Sequence, residues 1–287
     1  MFLTFYVWIA VTGLVTTQTV CNNGWFGKQC DLKCRCYGNQ CPTTTQCSGC
    51  QYGWFGPDCQ YVDLAQVSQL PTTQPVLADN NDATCLPTNT NLMSVAVTWS
   101  TSYPFSWMRI SVKDPGLLNN FTVSFFNNST PVTCNNLINA TVTDQTLDIH
   151  CDLIGQITNV TLTGGGVSSL CSVYVSGGRN VALHQEAKQS SIYEDEVSAF
   201  EPQKAVDGNN SELFTDLSCT ATTTSSNPYW SLRFYYPVIA NRYVIYNRKD
   251  IQKRLRGFIL TSFDANNLQV FSYTSTSLTN KRIFEVI

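Results

Sequence analysis

Between Tyr246 and Phe258 the chain reads YNRKDIQKRLRGF, and five of those thirteen residues are cations: Arg248, Lys249, Lys253, Arg254 and Arg256. A guanidinium group is a planar fork of donors that grips oxygen partners two bonds at a time, which a lysine cannot do. Asp250 stands among the cations. The stretch therefore reads either as a ligand site or as a solvated basic turn with Arg248 paired to Asp250 or Asp207. Catalysis would need titratable groups gathered in a pocket. Only two histidines exist, His150, in a strand-like segment before Cys151, and His184. The acids of YEDEVSAFE, Tyr193 to Glu201, read as a solvated face, and LTGGGVSS, Leu162 to Ser169, reads as a turn between strands. No nucleophile motif, phosphate loop or metalloprotease signature is present, and an enzyme is not expected.

The elements that would hold such a loop belong to an extracellular chain. Charged residues make up 13% of the 287, about half the usual share of roughly 25%. The opening MFLTFYVWIAVTGLV is an uninterrupted apolar run followed by TTQTV, the pattern of a secretory signal peptide over 1–17, cleaved near Thr16 to Gln18. No Lys or Arg precedes the run, so an uncleaved anchor is the competing reading. No segment is long enough to span a bilayer, and a net charge of -3 argues against nucleic-acid or membrane-surface partners. Sequons at Asn120, Asn127, Asn128, Asn139, Asn159 and Asn209 agree with secretion; Asn127 and Asn128 overlap, and Asn128 is the expected site of the two.

Thirteen cysteines imply an oxidising compartment and disulfides. Eight fall between Cys21 and Cys59, where CNNGWFGKQC and CQYGWFGPDC repeat at a period of 29 residues. The repeat pairs Cys21 with Cys30 and Cys50 with Cys59. Zinc is the alternative for such close cysteines, but neither histidine is near. The spacing from Cys34 to Cys59 resembles the EGF-like units of multiple-EGF-domain scavenger receptors and laminin-type repeats. That resemblance implies Cys34 with Cys41 and Cys36 with Cys47, in a module over 18–61.

Beyond Tyr61 the texture changes to short alternating or continuously apolar segments broken by Asn, Gly, Pro and Ser. FTVSF, QTLDIHC, NVTLTGG and CSVYVSGG lie in the first half; YWSLRF, RYVIYN, FILTSF and LQVFSYTS lie in the second. Many short strands without a long amphipathic helix predict an all-β protein built from β-sandwiches. The halves also repeat each other. VLADNNDATC, ending at Cys85, answers KAVDGNNSELFTDLSC, ending at Cys219, and WMRISVKD answers NRYVIYNRKD. Two copies of one domain are therefore expected, over 62–177 and 178–287.

NVALHQEAKQSS, AVDGN, SCT, NPYWSL and NRKDIQKRLRGF, in that order from Asn180, resemble the fucolectin/tachylectin-4/pentraxin-1 type of F5/8C-like lectin, a galactose-binding-like jelly-roll sandwich. An EGF-like module ahead of such domains is similar to the arrangement in invertebrate multiple-EGF-like surface and secreted proteins. The resemblance implies bridges Cys85 to Cys171 and Cys134 to Cys151 in the first, degenerate copy. It leaves Cys219 unpaired in a second copy that looks C-terminally truncated, an intermolecular bridge being the alternative.

The resemblance also implies a sugar site at the basic loop, with Arg248, Asp250 and Arg254 retained. It departs from the family at Ala221, where a histidine is expected, and at IQK, where adjacent cysteines stiffen the turn. The first copy offers only Lys113 and Asp114, and its site is read as lost. A structural calcium is the family's other feature, implied at Asp207, Asn209 and Ser218; the first copy has Asp79, Asn81 and Thr84, with Ser172 where a glutamate is expected. Asx turns would equally explain these residues. The expected protein is a secreted or cell-surface glycoprotein. It would bind glycans through the Arg248/Arg254 loop or, alternatively, work as an adhesion or scavenger-receptor-like ectodomain through protein contacts.

Overall fold

The two G-W-F-G stretches fold alike because their glycines supply backbone angles closed to other residues. Gly24 and Gly53 have φ of 89° and 86°, Gly27 and Gly56 have 90° and 89°, and Cys30 and Cys59 both have 55°. Each stretch forms a minimal antiparallel ribbon: β1 (Trp25–Phe26) with β2 (Leu32–Lys33), and β3 (Trp54–Phe55) with β4 (Tyr61–Val62). In this computed structural model the described residues are 21–22, 24–27, 30–41, 47–68, 74–87, 91–153, 155–223, 227–240, 242–276 and 280–286. The apolar leader expected over 1–17 lies outside them. Among them no helix is long and apolar enough to cross a membrane.

Six disulfides join Cys21–Cys30, Cys34–Cys41, Cys36–Cys47, Cys50–Cys59, Cys85–Cys171 and Cys134–Cys151, the same pairs that the repeat and the resemblances imply. The sulfurs of Cys34, Cys36 and Cys41 lie close enough together to suggest a metal, but all three are in disulfides and have no thiolate to give.

The next eight strands make a two-sheet sandwich. They are β5 (Ser94–Pro104), β6 (Trp107–Val112), β7 (Thr122–Asn127), β8 (Thr130–Val132), β9 (Cys134–Thr143), β10 (Thr146–Leu153), β11 (Gln156–Thr163) and β12 (Leu170–Ser176). One sheet runs β12-β6-β10-β9 and the other β5-β11-β7-β8. Alternation places Val95, Val97 and Trp99 of β5 and Ile157, Val160 and Leu162 of β11 inward against Met108, Ile110, Leu147 and Ile149.

β12 departs from alternation, and every residue of it is buried. Its inner face meets the sandwich core, while its other face is covered by the chain that enters from the cysteine-rich segment, so it needs the continuous apolar run of a two-sided strand. Phe55 stacks on Tyr174 of β12 at 5.2 Å between ring centroids and lies 4.7 Å from Trp107 of β6; Tyr61 meets Trp107 edge-on at 4.8 Å. Beneath these rings Asp63 is 1% exposed. Its Oδ1 accepts the Ala65 N–H at 2.9 Å, capping a 3-10 turn, and the Val175 N–H at 3.1 Å. On the outward face, Arg109 of β6 and Asp148 of β10 stand directly opposite and form a two-pronged ion pair, at 2.6 and 2.8 Å.

The second half carries β13 (Glu186–Gln189), one helical turn α1 (Val197–Phe200), β14 (Trp230–Arg233), β15 (Tyr243–Tyr246), β16 (Ile259–Phe263), β17 (Gln269–Thr274) and β18 (Ile283–Val286). Among the described residues they pair as β13-β14, β15-β18 and β16-β17, three two-stranded sheets where the first half has two four-stranded ones. β6 is hydrogen-bonded on both sides, by β12 and β10. Its counterpart β15 pairs only with β18 among the described residues.

Two loops that the sequence sets side by side nevertheless share backbone detail. Asp79 Oδ1 accepts Asn81 N–H at 2.9 Å and Asn81 Oδ1 accepts Ala83 N–H at 3.1 Å; Asp207 and Asn209 repeat the ladder onto Asn209 and Ser211 at 2.8 and 3.1 Å. Between them Asn80 and Gly208 share the left-handed region, at φ 61° and 82°. Each of these corners meets one cysteine loop. Asn80 donates to the Cys50 carbonyl at 3.3 Å. Trp25, at 4.0 Å from His184, reaches within 3.7 Å of where a Gly208 side chain would begin.

Candidate functional site

The basic loop is shaped by Asn247, which directly follows β15 and is 7% exposed. Its side-chain amide donates to the carbonyls of Gln252, at 3.0 Å, and Lys281, at 2.9 Å, and its own N–H donates to Arg282 O at 2.7 Å. These bonds fold residues after Asp250 back into a 3-10 turn, Gln252–Leu255. Gly257, at φ 65°, then turns the chain into β16.

Arg248 is held from two directions. Its Nε donates to Asp250 Oδ1 at 2.6 Å and a terminal nitrogen donates to Oδ2, the fork-on-carboxylate geometry. The guanidinium carbon also lies 3.8 Å from the ring centroid of Phe214, a cation–π contact. Phe214 in turn stacks on buried Phe200 at 5.1 Å, and Tyr193 meets Phe200 edge-on at 5.5 Å. An aromatic ladder therefore runs from the core to the arginine and fixes its plane. The Arg248 guanidinium draws the Asp250 carboxyl down to about 2, chiefly by hydrogen bonding, and the same bond raises the Arg248 pKa.

Arg254 is exposed on the 3-10 turn. The positive charges of Arg254 and Arg248 both reach the Tyr193 phenol, although a hydrogen bond with Glu194 dominates and raises that pKa. Ala221, at the position where the family resemblance expects histidine, offers its carbonyl to the Tyr193 N–H at 3.0 Å and to the Gln189 amide at 3.1 Å. The place thus has a methyl group, with Tyr193 beside it. Cys219 carries a free, half-buried thiol, pushed up in pKa by burial and only partly offset by Arg248.

Arg248, Asp250 and Arg254, named from the sequence, come together here. Phe214, Phe200, Tyr193 and Asn247 were not legible as site residues. Phe214 lies 34 positions before Arg248, and no local spacing signals a ring beneath a distant arginine. The arrangement offers the free donors of Arg248, the remaining lone pairs of a half-exposed Asp250 carboxylate, the Arg254 fork and a phenol. That is a set of donors and acceptors in which Arg248 and Asp250 are fixed against each other. In the first half, Asp114 instead caps a turn through Gly116 N–H at 2.9 Å, and no arginine stands next to it.

The calcium ligands implied by the resemblance are engaged elsewhere. Asp207 Oδ1 and Asn209 Oδ1 accept backbone N–H groups, and the Ser218 hydroxyl donates to Ser211 O at 2.8 Å. In the first copy Asp79 and Asn81 do the same, and Thr84 bonds Asp79. Calcium needs six to eight oxygens; Asp207, Asn209 and Ser218 each already make one bond within the loop, the Asx turns account for these residues without an ion, and no chemistry is derived through it. Addition of EDTA is expected to leave the melting temperature unchanged; a drop of several degrees, reversed by calcium, would contradict this assignment.

No family model matches the chain, and the search of curated proteins found no match. Among solved structures, the crystal structure of an F-lectin (fucolectin) from striped bass (Morone saxatilis) serum aligns with 78% of this chain and 87% of its own, at 20% identity and a TM-score of 0.31.

Proposed function

We propose that this chain is a secreted or cell-surface protein that recognises carbohydrate through the loop of Arg248, Asp250 and Arg254, with no catalytic role. The observation that carries the reading is the clamping of Arg248 between Asp250 and Phe214. A free arginine would lose several side-chain rotors on binding; this one has already lost them in the unbound protein. A saccharide's neighbouring hydroxyls could then donate to the Asp250 carboxylate and accept from the guanidinium at once. Six disulfides support an oxidising, extracellular setting. The test is a glycan array probed with the secreted chain and with Arg248→Ala: a discrete set of glycans is expected to be bound and to lose signal at least about tenfold in the variant.

A second reading, adhesion through protein contacts, is favoured by the apolar residues that the second half leaves exposed. Ile239 is 97% exposed, Tyr236 66% and Phe263 60%, and exposed apolar groups of this kind mark contact surfaces. Binding to cells that survives both enzymatic removal of their surface glycans and Arg248→Ala would select it.

A further inference from the structure

The sandwich has a cleft of about 200 Å³ at one edge, between its two sheets, lined by Phe121 and Val123 from one side and Leu137, Asn139, Leu147 and Ile149 from the other. Its origin is a mismatch in strand length. β9 has ten residues, but β8, the edge strand of the facing sheet, has three. The register sets Leu137 opposite Cys151, Asn139 opposite Ile149 and Thr141 opposite Leu147. Paired residues share a face, and Cys151, Ile149 and Leu147 all point into the core. Leu137, Asn139 and Thr141 therefore form an inward row, yet all three are exposed. An inward row left open is missing its cover.

Asn139-Ala140-Thr141 is an N-glycosylation sequon, and its asparagine is itself a wall of the cleft. We propose that the cover is the first N-acetylglucosamine of a glycan carried by Asn139. Its ring, tethered at the wall, lays an apolar C–H face over Leu137 and Phe121. Its amide and hydroxyls stay at the wet rim, and no charged side chain lines the cleft to oppose a neutral sugar. Burying apolar surface in this way stabilises the fold.

Three of the other sequons are placed differently. Asn159 is engaged in mid-strand by Thr98 and Thr161 at 2.8 and 2.7 Å. Asn209 Oδ1 takes part in an Asx turn. Asn128 sits exposed at the left-handed tip of the β7–β8 turn, with φ 45°, and is not among the residues that line the cleft. The inference rests on the chain passing through the secretory pathway, and Asn128 reports on that separately.

The experiment uses the full chain secreted from cells that make only high-mannose glycans. Glycopeptide mass spectrometry is expected to find Asn139 occupied. Trimming with endoglycosidase H leaves one sugar on each asparagine and should leave the melting temperature as it was. Complete removal with PNGase F, which also leaves an aspartate at each site, should lower it by about 4 °C and raise the fluorescence of a dye that binds exposed apolar surface. In Asn139→Gln, which carries neither sugar nor new charge at 139, the two digests should melt together and close to the PNGase F digest of the wild type, which measures the contribution of the other sites and separates loss of the sugar from gain of the carboxylate. Asn139 empty while Asn128 is occupied would overturn the proposal and leave secretion standing; all sites empty would overturn both. Equal melting of the two digests in the wild type would also overturn it, and a dimer or captured partner protecting the digested cleft would assign the surface to protein contact instead.

Discussion

Replacing Cys85 and Cys171 together with alanine is expected to lower the unfolding free energy by about 4–5 kcal/mol. The bridge spans 86 residues, and the chain-entropy cost of leaving a loop of that size open in the unfolded state is of this order. Its place in the fold adds a packing reason. Cys171 lies in β12, which is buried throughout, and next to the bridge the Leu86 N–H donates to Leu170 O at 2.8 Å. Cutting the bridge therefore frees the Asp79–Cys85 corner from the strand and, with it, the seat of the second cysteine loop. The Cys134–Cys151 bridge closes only 17 residues and is expected to be worth about 3 kcal/mol. Urea titrations of both double variants check the order. Equal effects, or a loss below about 1 kcal/mol for the longer bridge, would contradict the entropic account.

The second large effect concerns Asp63. Burial pushes its carboxyl up to about 7, despite the backbone N–H groups of Val175 and Ala65, which pull the other way. Oδ1 takes both of those bonds, while Oδ2 is buried with no hydrogen-bond partner. The Gln66 side chain beside it also pulls the pKa down, and Asp82, the other acid that acts on neighbouring Tyr174, is bonded to that phenol. A folded pKa above the unfolded one means that the native state binds the extra proton. The contribution is therefore fully present below about pH 4 and is lost as pH rises towards about 7. A shift of roughly three units corresponds to at most about 4 kcal/mol. Asp63→Asn keeps the accepting oxygen and removes the charge. It is expected to melt above the wild type at pH 8, with the two curves converging near pH 4. Curves that stay parallel across that range would show that Asp63 does not carry the dependence.

Much of this fold is legible in the sequence where one physical rule decides. The eight alternating or apolar segments read as strands are strands, because a half-buried pleated surface leaves its period in the letters. The G-W-F-G repeat announces its own pairing because equal glycine positions force equal turns. β9 was not legible. Its sequence CNNLINATVT alternates, but its inward row is Leu, Asn and Thr, a row that the facing sheet does not cover.

At the site the local ion pair of Arg248 and Asp250 could be read, since the residues are two apart. The ladder from Phe200 through Phe214 could not, because it joins a loop and a helical turn that only tertiary packing brings beneath β15. That ladder also alters the meaning of the ion pair. A solvated turn would satisfy Arg248 with Asp250 alone, whereas stacking on Phe214 leaves the Arg248 side chain only 13% exposed.

The most direct test of carbohydrate recognition is a titration of the best-bound saccharide from the array into the wild type and Arg248→Lys. Lysine keeps the positive charge but cannot grip Asp250 and a sugar with one planar fork. The account predicts at least about a tenfold weaker dissociation constant for the variant, equivalent to about 1.4 kcal/mol, with the fold unchanged by circular dichroism. Equal affinity in the two proteins, or no saccharide bound by the wild type, would contradict it.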